Sequence, residues 1–229
     1  MPKVRLKYFG YHPYNNTAYS ERNVELPLAF WFLDYFKTDL RNVIEVGEVT
    51  SFYRPPQHAI YDIAAEKTET IRRDAAEIDY TGQNLLSIST IEHIGTSDYG
   101  QTPDPERLPR VVEKMLQSKN YLITFALGYN KQLEDIISTQ PYLILKRTAQ
   151  TRWEQTEDRR LDGYQYHKPW YAGNGLCILT NMLDMQLEFG PRSLMEVLSR
   201  RAAPDWSWRR FFRAFRQETR DAFSRKPNE

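Results

Sequence analysis

The sequence predicts an α/β fold, a mostly parallel sheet layered between helices. Three observations point there. Short apolar runs recur along the chain, each closed by polar or turn residues. Two of them are rich in unbroken Ile, Leu and Val, the pattern of strands buried on both faces. Helix-compatible stretches alternate with them, which favours a layered α/β arrangement over separate α and β regions.

Residues 1–19 are aromatic and turn-rich and read as an ordered arm or flap. A helix is predicted to begin near Ser20, which can cap its first turn. Leu26, Phe30, Leu33 and Phe36 recur at helical spacing, and Pro27 must lie near the start or kink it. Five apolar runs follow: Val43–Val46, Ala59–Ile63, a weak one around Ile71–Ile78, Leu85–Ile91 and Tyr121–Leu127. Arg107–Leu116 and Lys131–Ile137 read as helices. Pro141–Lys146 and Leu176–Thr180 read as two further strands, with a charged, helix-compatible stretch from Gln150 to Arg160 between them. Leu183–Arg200 and Trp208–Phe223 look helical. The expected organisation is an arm over 1–19, an α/β domain over 20–182 and a helical extension over 183–229.

The 229 residues, 41% hydrophobic and 27% charged, suit one soluble domain with a core that needs no disulfide or metal. The single cysteine, Cys177, excludes an internal disulfide and a Cys-cluster zinc site, and its apolar surroundings suit a buried core residue. A net charge of +1 argues against a nucleic-acid partner. The N-terminus has no signal-like apolar stretch and no run reaches membrane length, so a cytoplasmic protein is expected. There is no Gly-Lys-Ser/Thr phosphate loop, Gly-x-Ser-x-Gly elbow or His-Glu-x-x-His metal site.

The order of polar residues at the strand ends resembles that of the class I S-adenosylmethionine-dependent methyltransferases. Val43-Ile44-Glu45-Val46-Gly47 is similar to the family's first nucleotide-binding motif. Ile60-Tyr61-Asp62-Ile63 is similar to the acidic strand end that holds the cofactor ribose. Arg73-Asp74-Ala75 resembles the Asp-Ala beside the adenine. Asn84 to Ile94, containing Thr90, Glu92 and His93, resembles the fourth strand and the Leu-Glu-His that often follows it. The resemblance spans roughly residues 20–182. It implies a three-layer Rossmann-like sheet, mostly parallel with an antiparallel last strand, followed here by C-terminal helices. It also implies S-adenosylmethionine as cofactor, held by Glu45, Gly47, Asp62, Asp74, Ala75 and Thr90. After Gly47 the later glycines of the family loop are missing, and Pro55 and Pro56 leave no room for a crossover helix before Ala59. The first crossovers are therefore expected to be trimmed.

Each candidate has a plainer alternative. Glu45 with Gly47 also reads as a strand-end carboxylate with a turn glycine, and Asp62 and Asp74 as turn aspartates. Glu92 and His93 sit where open α/β sheets bind ligands, and an imidazole there suits deprotonation of a hydroxyl; it also suits simple packing. Asp98 and Tyr99, on the polar loop 94–101, are candidates to face an acceptor. Tyr129 and Asn130 follow the fifth strand and are candidates to orient substrate, although Asn130 also suits a helix N-cap. Tyr164 and His167, in an aromatic cluster with Tyr166, Trp170 and Tyr171, could wall a small-molecule or glycan-like acceptor. Trp208–Phe223 carries aromatic residues among arginines, a pattern that suits a protein partner, a membrane surface or simple packing. Three functions are open: methyl transfer to an acceptor oxygen, a non-catalytic binding or scaffold protein on the same fold, and a related enzyme using another nucleotide-like ligand in the same crevice.

Overall fold

The computed structural model describes residues 3–10, 12, 14, 17, 20–149, 152–167, 172–182 and 186–190. They belong to one compact unit, Met1–Pro191. The expected C-terminal helices, Trp208–Phe223 among them, lie outside the described residues. Eleven strands are described: β1 (Lys3–Leu6), β2 (Val43–Val46), β3 (Ala59–Tyr61), β4 (Asn84–Ile88), β5 (Asn120–Ala126), β6 (Tyr142–Ala149), β7 (Arg152–Thr156), β8 (Tyr166–His167), β9 (Ala172–Gly173), β10 (Gly175–Thr180) and β11 (Gln186–Phe189). The α-helices are α1 (Arg22–Tyr35), α2 (Arg107–Met115) and α3 (Lys131–Ile137).

Seven strands form one sheet in the order β3-β2-β4-β5-β10-β6-β7. β3, β2, β4 and β5 run parallel, and β10 enters antiparallel between β5 and β6. This is the mostly parallel α/β sheet that the apolar runs predict, and the three-layer Rossmann-like arrangement that the resemblance implies. Alternate side chains feed two cores. Ile44, Leu85, Ile123, Phe125 and Cys177 pack with Leu108, Val112 and Met115 of α2 and Leu133 and Ile137 of α3. Val43, Leu86, Leu122, Leu145 and Ile178 pack with Leu26, Ala29, Phe32 and Leu33 of α1. Burial on both faces is why these strands read as unbroken apolar runs.

Pro27 lies inside α1 and has no N–H to give the Asn23 carbonyl one turn back. The backbone N–H of Phe9 takes that carbonyl at 2.8 Å, so the helix's missing bond becomes an anchor for the N-terminal arm. Further along the arm, Tyr8 is buried, stacks on Phe189 and accepts the Trp153 backbone N–H at 2.9 Å. β1 itself pairs in parallel with β11.

Three local expectations are corrected. The weak run at 71–78 is no strand: it contributes one parallel bridge, Tyr61 to Ile71, and then a single 3-10 turn over Ala75–Glu77. The charged stretch from Gln150 to Arg160 contains strand β7, in which Trp153 is buried between exposed Arg152 and Glu154, a period of two that the helical reading overlooked. Within Leu183–Arg200, Gln186–Phe189 is strand β11, stabilised by non-local pairing with β1. The trimmed crossovers are present as expected: 47–58 and 62–83 hold only short 3-10 turns.

The Tyr8 hydroxyl is a buried acceptor that a phenylalanine cannot replace. Tyr8→Phe is expected to lower unfolding free energy by about 1–2 kcal/mol, because the Trp153 N–H loses its acceptor in the interior. Urea unfolding with an unchanged m-value checks it; wild-type stability would mean that the arm is not docked through this bond.

Candidate functional site

β2 leads to β3 on one side, while β4 leads to β5 on the other, so the connections from β2 and β4 run to opposite sides of the sheet. Such a switch point opens a crevice at the carboxyl ends of the strands, where open α/β sheets take ligands. Gly47, Asp62, Asp74, Thr90, His93, Asp98 and Tyr129 all come to this edge or its rim.

Gly47 lies at φ +93°, and a Cβ there would stand 1.9 Å from Thr90 Oγ1. Only glycine lets the two loops approach so closely, with Thr90 held by its hydroxyl to the Ile88 carbonyl at 2.9 Å. Glu45 is completely buried beneath this loop. Its carboxylate accepts the Val49 and Thr50 N–H groups at 3.1 and 2.8 Å and the Thr50 hydroxyl, and lies 2.8 Å from His58 Nε2. Glu48 accepts the Glu66 N–H at 2.7 Å and the Thr70 hydroxyl at 2.6 Å. Burial opposes ionisation of Glu48, but these donors outweigh it and lower its pKa. Asp62 accepts the Glu48 N–H on one oxygen and the Ala64 N–H on the other, both at 2.7 Å. Asp74 caps the 75–77 turn through the Ala76 N–H at 2.9 Å and pairs with Arg107; burial opposes its ionisation, but the Arg107 bond prevails and its pKa is lowered. Ala75 packs against the α2 side of the core.

At the mouth of the crevice, His93, Asp98 and Tyr129 form a closed triangle. His93 Nδ1 lies 2.8 Å from Asp98 Oδ2, the Tyr129 hydroxyl donates to the same oxygen at 2.7 Å, and it lies 3.1 Å from His93 Nδ1. Burial works against the Asp98 charge, but the bonds from His93 and Tyr129 prevail and bring its pKa down to about 2. An ionised Asp98 fixes the neutral tautomer with the proton on Nδ1, leaving the lone pair on Nε2. Nε2 makes no hydrogen bond among the described residues, and the side chain is 20% exposed. Tyr99 edges onto the His93 ring at 5.2 Å from a left-handed backbone, φ +57°, and is 72% exposed. Desolvation of its hydroxyl, then the carboxylates of Glu92, Asp98 and Asp62, raise its pKa against the opposing Arg22.

Other candidates lie apart from the triangle or beneath it. Asn130 is the N-cap of α3, accepting the Leu133 N–H at 3.1 Å and donating to the Glu92 carbonyl at 2.8 Å. The Tyr164 ring sits against Gly175, where a Cβ would meet it at 2.2 Å, and packs on the α2/α3 core. Tyr166 reaches the rim instead, edge-on to Tyr129 at 4.9 Å. His167 lies in β8; its side chain, Trp170 and Tyr171 lie outside what is described.

A buried ionic cluster under the crevice escaped the sequence reading. Glu25, in the first turn of α1, is completely buried, pairs with Arg22 at 2.7 Å, and accepts the hydroxyls of Ser89 and Thr124, both at 2.7 Å. Ser89, at φ +38°, is the strained residue that ends β4. The legible signals were the Arg-x-x-Glu pair opening an apolar helix and a lone threonine inside the run Tyr121–Ala126. Glu92 turns inward, 3% exposed, and its Oε2 has no hydrogen-bond partner among the described residues. Burial, and secondarily Glu25, raise its pKa to about 8 while Arg22 opposes. Glu21, which accepts the Gly173 N–H, is likewise pushed by burial to about 7.

No protein-family model matches the chain, and the search of curated proteins found no match. Among solved structures, the chain is similar to magnesium protoporphyrin IX methyltransferase from Synechocystis PCC 6803 with bound SAM, at 11% identity and a TM-score of 0.38, over 75% of this chain and 86% of that one. Among the described residues, no helix is long and apolar enough to cross a membrane, and no group of three or more His, Cys, Asp or Glu is placed to hold a metal.

Glu92 generates a pH prediction. Its ordinary value is 4.5 and its folded value about 8, so the fold favours the protonated form. That contribution is complete below about pH 4.5 and is lost as pH rises through about 8. At about 1.4 kcal/mol per unit, Glu92→Gln should gain a few kcal/mol relative to wild type between about pH 5 and about pH 9. Urea unfolding at both pH values measures it; a difference independent of pH would mean that Glu92 ionises normally.

Proposed function

We propose that this chain is an S-adenosylmethionine-dependent methyltransferase acting on an oxygen of a small-molecule or glycan-like acceptor. The observation that carries the reading is the oriented imidazole of His93 at the mouth of the crevice, its Nδ1 tied to an ionised Asp98 and its Nε2 free of hydrogen bonds among the described residues. The crevice supports it from the other side. Each Asp62 oxygen holds one backbone N–H and keeps accepting capacity, so the pair of ribose hydroxyls fits there. Gly47 and Thr90 bring the β2 and β4 loops together at the same edge. Asp74 fits an adenine less well, because Arg107 already pairs with it.

S-adenosylmethionine, when bound, supplies an electrophilic methyl group. The chain's part is to hold the acceptor in line with it and to remove the acceptor's proton. His93 Nε2 takes the hydroxyl proton. Asp98 keeps Nδ1–H in place and stabilises the imidazolium that forms, while Tyr129 holds Asp98 by its second bond. Tyr99 and Tyr166 give the rim aromatic faces suited to the apolar side of a sugar.

A second reading has its own observation. Glu45, Glu48 and Asp62 are occupied with backbone N–H groups of the crevice loops. That arrangement also suits a non-catalytic scaffold that has lost the cofactor and docks a protein or membrane surface through Trp208–Phe223.

Calorimetric titration with S-adenosylmethionine and S-adenosylhomocysteine separates the two. Micromolar binding that weakens at least about tenfold in Asp62→Ala supports the enzyme, provided the variant keeps its thermal stability. With an acceptor found by screening, His93→Gln should lower kcat about 100-fold or more and leave cofactor affinity unchanged. No heat at millimolar ligand would sink the methyltransferase reading.

A further inference from the structure

A second concavity lies away from the crevice, between the C-terminal half of α1 and the loop leading to β3. Its volume is about 300 Å³, within the size range of small-molecule sites. Leu33, Leu40, Pro55 and Pro56 supply apolar walls, with the two prolines fixing the loop backbone. Lys37, Arg54 and His58 line the same space. Two of these cations are poised but lightly committed. Arg54 lies over the Phe30 ring at 4.2 Å and reaches Asp34 only at 3.6 Å, with its side chain 40% exposed. The Lys37 side chain makes no ion pair among the described residues.

His58 is the telling residue. Its side chain is 3% exposed and its Nε2 lies 2.8 Å from Glu45, while Nδ1 makes no hydrogen bond among the described residues. Glu45 engages one nitrogen of this largely buried ring, and the other is left available to a ligand in the space that His58 lines. As imidazolium it donates from both nitrogens, to Glu45 on one side and to an oxyanion on the other. Such an oxyanion would also meet the guanidinium of Arg54 and the ammonium of Lys37.

The geometry points to an oxyanion-binding site at Lys37, Arg54 and His58, taking the carboxylate or phosphate of a small molecule whose apolar part lies on Pro55, Pro56, Leu33 and Leu40. It does not depend on the methyl-transfer reading. It does share a loop with the crevice, because the Glu45 carboxylate that holds His58 also holds the Val49 and Thr50 N–H groups.

The test titrates the full chain separately with inorganic phosphate and with acetate, following the His58 ring nitrogens by NMR. The wild type is compared with Arg54→Gln/Lys37→Gln, which leaves Glu45 and His58 in place. A saturable shift of the His58 nitrogens, with affinity at least about tenfold weaker in the double variant, is expected. The stronger of the two anions identifies the head group. A linear, unsaturable drift with both anions, or equal affinity in wild type and double variant, overturns the proposal. His58→Gln, which keeps a polar group toward Glu45, should abolish the residual binding measured by calorimetry.

Discussion

The carboxyl edge of the sheet depends on one buried carboxylate. Glu25 sits at complete burial in the first turn of α1 and joins three elements at once, bonding Arg22 of its own helix, Ser89 beyond β4 and Thr124 within β5. A lone ionised group there would be costly, and the four-membered arrangement offsets that cost through charge-assisted bonds. It also sets a geometry. Ser89 is held in a left-handed conformation that a serine rarely adopts, and the chain then turns through Thr90 to His93. The direction in which the β4 loop leaves the sheet, and with it the approach of Thr90 to Gly47, follows from that strained residue being tied to the helix.

The neighbouring carboxylates answer a different constraint. A parallel connection usually buries its backbone polar groups in a crossover helix. Residues 47–58 and 62–83 have no such helix, so their N–H groups need other acceptors. Glu45 takes those of residues 49 and 50, Glu48 those of 66 and 67, and Asp62 those of 48 and 64. Side-chain oxygens replace helical carbonyls, so residues with a binding appearance in sequence also carry the local fold. Occupation by one N–H per oxygen does not exhaust a carboxylate, which accepts several bonds. Structural and ligand roles at Asp62 are therefore compatible, whereas Glu45, with three donors from the loop and His58 beside them, is committed to the loop.

The sheet was legible because its strands are buried on both faces and are rich in apolar residues; Asn84–Ile88 is buried throughout. The helices α2 and α3 were legible from their period, and Asn130 from its capping chemistry. The edge strands were not. β7 alternates Arg152, Trp153 and Glu154, and a run this short is ambiguous until its partner β6 is known; β11 exists only through pairing with β1, far away in sequence. At the site, adjacency in sequence put Glu92 beside His93, but a 3-10 turn sends the two side chains to different surroundings, one into the buried ionic cluster and one to the crevice mouth. Asp98 lies five residues from His93 on the same loop, but Tyr129 joins the two from 31 and 36 residues away, which no local pattern encodes.

On the proposed methyl-transfer reading, the chemistry of the crevice mouth rests on what Asp98 does to His93. An imidazole used as a base must keep one nitrogen unprotonated and aimed, and rotation or the other tautomer would remove it from use. Asp98, held ionised by its bonds to His93 and Tyr129, accepts only a proton-bearing Nδ1, and Tyr129 closes the triangle so that neither ring nor carboxylate turns freely. On the proposed reading, the base would be assembled from the chain's own loops before any ligand arrives. Its orientation would then cost no further ordering at the moment of reaction, the condition under which a single imidazole contributes most to a proton transfer.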